Sequence, residues 1–557
     1  MSVWLTSLSE QRKQRELRLP DTGRVLWIFW TQHGEKLIVV AQQEAKPLVY
    51  SIDPESGAFE LLSQASDSLA MVRGSSSSNY AFSSFRIRRD KQFLELDADG
   101  RFVPSIATND ICADPECKGA RLSFAARGAE QHYLHGGENP QTVMRLNAAD
   151  RRQGSGLVSI TQDGQAYFLS SEGRNLLALS RTDLASGTET VLHEGHSDIL
   201  SVSLNPLSKK PQFVETDDSS RRVIALDADT TRTLELLKQL GGGDAHIINR
   251  APSDKYWLVS FPETVQAPKL ALFDRDQRSL RTLTAVGASF RGRVSWHTER
   301  GVQVSSGGLH IPYVLLTPIE CPASTCPLVV LLHGGPAARD TGNIDRERQI
   351  LLDRGYAILM INYRGSKGFG KAYEQLDQGE WYKGIPEDVK TTLHALQASG
   401  VANRERIAFV GTSFAAYLAL NLIADGEAAS CAVVDSGALD LPVFVAEEME
   451  KARAKGAISD LLERVGDPRI EAQRFVMAAG SPANKTEALA RIPILHLHGG
   501  QDSIVNIAQA RAFAAQMQAK SKVYRYIELA DQGHSLVGAR EMYWNVATEF
   551  LDRCLKH

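Results

Sequence analysis

With 557 residues the chain exceeds what one hydrophobic core usually organises, so two domains are the first expectation. Apolar residues make up 43% and charged residues 23%, which is a folded composition rather than a disordered or collagen-like one. The net charge of −4 comes with no basic block to neutralise a phosphate backbone, which argues against a nucleic-acid partner.

Residues 1–20 form an N-terminal segment in which the charged run Ser9 to Leu19 reads as a helix. Glu10-Gln-Arg-Lys-Gln-Arg-Glu16 follows the start too soon for the charged-then-apolar order of a secretory leader. The most apolar early stretch, Val25 to Trp30, is far shorter than the roughly 20 residues a membrane span needs. On this reading the protein is cytoplasmic and has no membrane partner. The cysteines point the other way. Cys112 with Cys117, and Cys321 with Cys326, could each close a small disulfide loop, which would suit a periplasmic protein whose leader has been removed.

From residue 21 to 290 one unit recurs: an apolar strand, a polar turn, another strand. Leu48 to Leu62, Leu94 to Val103, Leu177 to Val191, Val223 to Leu234 and Leu270 to Leu283 are copies. Their turn aspartates, Asp53, Asp97, Asp183, Asp227 and Asp274, recur at spacings of roughly 44, twice 43, 44 and 47 residues, close to the length of a propeller blade. An all-β propeller of six or seven blades is expected over this region.

After residue 291 strands alternate with helices. Pro327 to Leu332, Ala357 to Asn362, Arg406 to Val410, Cys431 to Val434, Pro493 to Leu497 and Val523 to Leu529 are short apolar runs, as buried parallel strands should be. Helices are expected over Pro386 to Ser399, Ala415 to Asp425 and Ile507 to Ala519. Residues 291–557 therefore read as an α/β domain with a mostly parallel sheet and helices on both faces.

Gly411-Thr-Ser-Phe-Ala415 stands where a strand gives way to a helix, the setting of a nucleophile elbow that would lift the Ser413 hydroxyl above the sheet. Asp502 and His534 follow later strands, at the edge where open α/β sheets bind ligands. The chain order Ser, Asp, His is that of the α/β-hydrolases, with His534 as base and Asp502 as the group orienting it. Leu332-His-Gly-Gly-Pro336 brings backbone N–H groups toward a cavity, so Gly335 N–H with Phe414 N–H is the expected oxyanion hole. His333 reads as structural. Tyr417, Leu441, Phe444 and Val445 are candidates for an apolar substrate pocket. Gly365-Ser-Lys-Gly-Phe-Gly-Lys371 has the first positions of a phosphate-binding loop, but Ala372 stands where Ser or Thr would hold magnesium. His496 and His498 alternate on a strand without an evident third ligand and read as core histidines. No metal and no cofactor is expected.

His333-Gly-Gly-Pro336, Asn362-Tyr-Arg-Gly-Ser366, Gly411-Thr-Ser-Phe414, Gly466-Asp-Pro468, Gly499-Gly-Gln-Asp502 and Gly533-His534 together resemble the prolyl oligopeptidase family of serine peptidases. Within it the chain looks most like the acylaminoacyl-peptidase and dipeptidyl-peptidase-like branches. The resemblance implies cleavage of short peptides through an acyl-enzyme, with a β-propeller that restricts access. Many relatives use a tyrosine at the position of His333 in the oxyanion hole, so backbone donors must suffice here. The family's paired glycines after the nucleophile are Ala415 and Ala416, a departure that bears on rate rather than on fold. Glu447-Glu448 resembles the glutamate pair with which dipeptidyl members anchor a free amine, but it lies in the hydrolase half, where a solvated helix face is the plainer reading. An esterase or amidase acting on small acyl substrates, or a weakly catalytic peptide-binding relative, are the alternatives. The sequence leaves self-association open.

Overall fold

The computed structural model describes residues 2–6, 14–18, 24–30, 36–43, 46–53, 56, 58–62, 68–72, 84–89, 92–96, 102–104, 110–112, 120–127, 130–136, 139–218, 221–251, 253–261, 269–283, 295–321, 325–453 and 459–556. Contacts divide the chain into two compact units. One is Met1–Arg145 with Gly156–Tyr167 and Thr182–Thr188; the other is Leu146–Ser155 with Phe168–Arg181 and Glu189–His557.

At the N-terminus, Gln14–Arg18 is a strand paired antiparallel with Ser2–Thr6. The charged run expected to be helical is therefore extended over its described part, because a pairing partner overrides a weak local preference. Six sheets of three or four strands follow among the described residues, over 24–61, 68–104, 110–146, 156–193, 199–225 and 246–282, each with sequential strands as neighbours. This is the blade pattern of a propeller.

The recurring aspartates act as turn caps. Asp53 Oδ1 accepts the Ser56 N–H at 2.7 Å, Asp183 Oδ1 those of Ala185 and Ser186 at 3.1 and 2.9 Å, and Asp274 Oδ1 those of Asp276 and Gln277 at 3.0 Å each. A short acceptor that satisfies its own turn explains why Asp recurs there. Asp97 lies outside the described residues. Asp227 departs from the pattern, since the strand expected after it is the helix Ala228–Gly241. Asp227 caps that helix through Thr230 N–H at 2.7 Å, Thr230 and Leu237 are its buried residues, and Gly242 closes it at φ 78°.

The C-terminal sheet has eight strands: β1 (Trp296–Val304), β2 (His310–Pro318), β3 (Leu328–Leu332), β4 (Ala357–Ile361), β5 (Ile407–Thr412), β6 (Cys431–Asp435), β7 (Ile494–Gly499) and β8 (Tyr524–Leu529). Their order is β1-β2-β4-β3-β5-β6-β7-β8. Only β2 runs against its neighbours; β3 through β8 are parallel. The helices that matter below are α1 (Arg346–Asp353), α2 (Gly384–Ala398), α3 (Phe414–Ala424), α4 (Leu441–Arg453), α5 (Ile507–Lys520) and α6 (Arg540–Leu555).

Strand residues alternate between two cores, which is why these strands are apolar on both faces. Leu328, Val330, Leu359 and Phe409 join α3 in one cluster, whereas Val329, Ile358, Ala408 and Val410 join Tyr543, Trp544 and Leu551 of α6 in the other. Both clusters are deeply buried: no member is more than 8% exposed. This is an α/β-hydrolase sheet, and its carboxyl edge carries the loops described next.

Cys321 and Cys326 lie at disulfide distance, 2.01 Å, and Cys431 of β6 is bonded to Cys554 of α6 across 123 residues of sequence. Cys117, expected to pair with Cys112, lies outside the described residues. Among the described residues no helix is long and apolar enough to cross a membrane.

Candidate active site

Ser413 joins β5 to α3 at φ 61°, ψ −121°, a left-handed backbone that a residue with a Cβ adopts only where its surroundings impose it. The imposition is visible. The Ser413 N–H donates to the Asp435 carbonyl of β6 at 2.9 Å, and α3, buried from Phe414 to Ile423, packs directly over the strand end. A Cβ on Gly411 would stand 2.5 Å from the Ala415 backbone, so strand and helix meet this closely only because residue 411 is glycine.

The same contact accounts for the two alanines. The Ala415 methyl would lie 2.9 Å from a Cβ at 411, and the Ala416 methyl 2.9 Å from a Cβ at 437; both facing residues are glycines. Each extra methyl thus fills space that a glycine opposite leaves empty. The Ala415 methyl is accommodated from the strand side by Gly411.

The glycine loop after β3 approaches the serine. A Cβ on Gly334 would stand 3.2 Å from the Thr412 carbonyl and 3.8 Å from Ser413 Cβ. Gly335, at φ 119°, turns the chain there. Phe414 N–H belongs to the first turn of α3, where helix N–H groups have no intrahelical acceptor and favour negative charge. His333 holds this loop from below. Its ring stacks on Tyr363 with centroids 4.3 Å apart, Nε2 meets Ser366 Oγ at 3.0 Å, and the Tyr363 hydroxyl donates to the His333 carbonyl. Burial pushes the His333 imidazole pKa down, which suits a neutral structural ring.

Asp502 and His534 meet. His534 Nδ1 lies 2.8 Å from Asp502 Oδ2, and Asp502 Oδ1 accepts the N–H groups of Ile504 and Val505 at 2.9 Å each. Although burial alone would raise the Asp502 pKa, contacts with His498, His534 and the Val505 N–H hold it well below the usual carboxylate range. Ser413 Oγ makes no hydrogen bond among the described residues, and Nε2 of His534 makes none either.

His498 is the residue that sequence reasoning missed. It is fully buried, as a core histidine should be, yet its Nε2 lies 3.4 Å from Asp502 Oδ2 while also meeting the Val505 carbonyl at 3.0 Å. Its place four residues before Asp502, at the end of β7, was the available signal. His496 behaves as a core residue: Nδ1 meets the Tyr524 hydroxyl at 2.7 Å, and burial, with His498 nearby, lowers its pKa to about 3. Among the described residues no three His, Cys, Asp or Glu side chains gather as a metal site.

The pocket candidates divide. Tyr417, Leu441 and Val445 have no exposure and belong to the same core cluster as Phe414, whereas Phe444 packs on that cluster only partly buried. Trp381 closes the aromatic group, its ring 4.6 Å from Phe414. Glu448 pairs with Lys451 on α4 at 2.6 Å, and Glu447 accepts from Gln509 at 3.1 Å. The phosphate-loop look-alike is turned to other work. Gly370 N–H donates to Asp198 at 3.2 Å, and Lys371 Nζ to Asp150 and the Ser171 carbonyl at 2.6 and 2.9 Å.

An eight-stranded sheet of this order, with a serine elbow after β5 and an Asp-His pair after β7 and β8, defines the α/β-hydrolase fold. Residues 343–557 match the prolyl oligopeptidase family. Dipeptidyl aminopeptidase BIII of Pseudoxanthomonas mexicana is 30% identical over 419 residues, which cover 71% of this chain and 59% of that protein. The chain thus spans about three fifths of that relative's length. Among solved structures, a Mycobacterium tuberculosis puromycin-hydrolyzing peptidase matches with a TM-score of 0.64 at 16% identity, over 96% of this chain and 95% of that one. Pyrococcus horikoshii acylaminoacyl peptidase matches with a TM-score of 0.65 at 14% identity, over 100% and 91%. The likeness to these structures is one of fold.

Proposed function

We propose that the chain is a serine peptidase acting on short peptides through an acyl-enzyme on Ser413. His534 takes the hydroxyl proton as Oγ attacks the scissile carbonyl, then returns it to the leaving amine. Asp502 holds the imidazole tautomer and stabilises its cation. Gly335 and Phe414 N–H receive the oxyanion, and water, deprotonated by His534, releases the acid product. The observation that carries this reading is the 2.8 Å bond between His534 and Asp502, at the same sheet edge as a serine held at φ 61°.

Residues 21–290 act as the propeller and 291–557 as the catalytic domain, with the blades admitting only short chains. Phe444 lines the substrate pocket, and Tyr417, Leu441 and Val445 shape it from behind. Relatives named for dipeptidyl and acylamino-acid release support a substrate read from its N-terminal end. The bonds Cys321–Cys326 and Cys431–Cys554 support an oxidising compartment such as the periplasm.

The test is a fluorophosphonate probe, followed by acyl-peptide, dipeptidyl and simple ester chromogenic substrates. Labelling of the intact protein that disappears in Ser413→Ala is the expected result. Failure to label overturns the hydrolase reading, and ester turnover without peptide cleavage overturns the peptidase assignment.

A further inference from the structure

Asp435 is a buried carboxylate with no part in the reaction above. It ends β6, has no solvent exposure, and touches both sides of the site. On the nucleophile side its carbonyl accepts the Ser413 N–H at 2.9 Å and its Oδ2 accepts the Thr412 hydroxyl at 2.6 Å. On the base side Arg540 NH1, from α6, stands 3.8 Å from Oδ2 and 3.4 Å from the Ser535 carbonyl. The next residue, Ser436, accepts the Ser535 N–H on its Oγ at 3.0 Å. Oδ1 of Asp435 has no hydrogen-bond partner among the described residues.

Backbone strain gathers at the same place. Of the seven non-glycine residues with positive φ among the described residues, Ser413, Ser436, Ser535 and Leu536 lie on this network. Each such conformation costs about 1 kcal/mol or more and survives only where its surroundings over-determine it. Leu536, fully buried in the second core, is the apolar anchor. Asp435 is the polar one.

We propose that Asp435 is a positioning residue whose carboxylate holds Ser413 and His534 in register across β6 and places a second negative charge beside the imidazole. This rests on the hydrolase reading. The groups facing it are Thr412 from β5, Arg540 and Tyr543 from α6 and His534 from the turn after β8, with Glu347 of α1 bonded to Arg540 from behind. Burial pushes the Asp435 carboxyl up, and the Thr412 hydroxyl, the Arg540 charge, the Ser436 hydroxyl and a positive His534 pull it back.

Asp435→Asn keeps the shape and removes the charge. We expect at least a tenfold fall in kcat at unchanged KM, a matching fall in fluorophosphonate labelling rate, and an acidic limb of the kcat/KM profile displaced to lower pH. A merely structural residue would not move that limb. Should Asp435→Asn fail to fold, Thr412→Val and Arg540→Lys each cut one tie to the same carboxylate, and each should slow labelling several-fold at unchanged KM. Wild-type labelling rates and an unshifted limb overturn the assignment while leaving the peptidase intact. If instead the wild-type protein itself does not label, the hydrolase reading has failed.

Discussion

Two glycine-bearing loops leave the same edge of the C-terminal sheet, one after β4 and one after β5, and they use their glycines to opposite ends. In the first, Gly365–Lys371, the polar groups are taken up by the protein itself: Lys367 Nζ on the Arg152 carbonyl at 2.9 Å, Lys371 on Asp150 at 2.6 Å, Gly370 N–H on Asp198 at 3.2 Å. In the second, Gly411 only makes room for α3, and the serine two residues on is left with a hydroxyl that bonds to nothing among the described residues. Both loops match a functional motif closely. What separates the two is that the polar groups of the first are fastened and the Ser413 hydroxyl of the second remains free among the described residues.

That contrast can be broken in order of effect. Ser413→Ala should lower turnover by about 10⁴-fold or more and leave the melting temperature nearly unchanged, because a free hydroxyl carries chemistry and little stability. Residual turnover close to wild type would move the nucleophile elsewhere. Asp502→Asn should cost about 10⁴-fold in kcat by favouring the wrong imidazole tautomer. Because the folded pKa of Asp502 is lowered, the stability it adds is present above the ordinary carboxylate value and fades as the pH falls toward the folded one. Melting curves of the two proteins should therefore differ most above about pH 5 and converge in strong acid.

Gly411→Ala should destabilise by about 2 kcal/mol, since the new methyl meets backbone at 2.5 Å and α3 must shift; urea unfolding measures it. Lys371→Ala should cost about 2 kcal/mol as well, because the buried Asp150 loses its counter-charge, but with labelling of the folded protein unchanged. A parallel loss of labelling would show that the fastening loop also serves the site. Ala415→Gly is the mildest: activity within about threefold, and stability lower by about 1 kcal/mol from the helix.

Much of this arrangement was legible beforehand because it is local. The six parallel strands lie within a residue or two of their expected places, since continuous apolar runs between helical stretches have few alternative readings. Ser413, Asp502 and His534 stood out because each follows a strand that the pattern already located. What escaped was set by distant partners. Asp227 looks like the other turn aspartates, yet Thr230 and Leu237 bury a helix face that no turn requires. Gln14–Arg18 is a strand because Ser2–Thr6 lies beside it. Tyr417, Leu441 and Val445 are buried in a core cluster, and apolar residues near a nucleophile suit both a pocket wall and a core, so sequence alone does not separate the two roles. The contact of His498 with Asp502, and the meeting of Cys431 with Cys554, depend on the sheet being assembled.

The bond between Cys431 and Cys554 makes a ring of the chain between them. Asp435, Asp502 and His534 are members of that ring; Ser413 stands outside it. A protease that cuts one peptide bond anywhere within it opens the ring without releasing a fragment, so Asp502 and His534 stay attached to the sheet that holds Ser413. On a gel such nicked protein would run as one band until a reductant divides it in two.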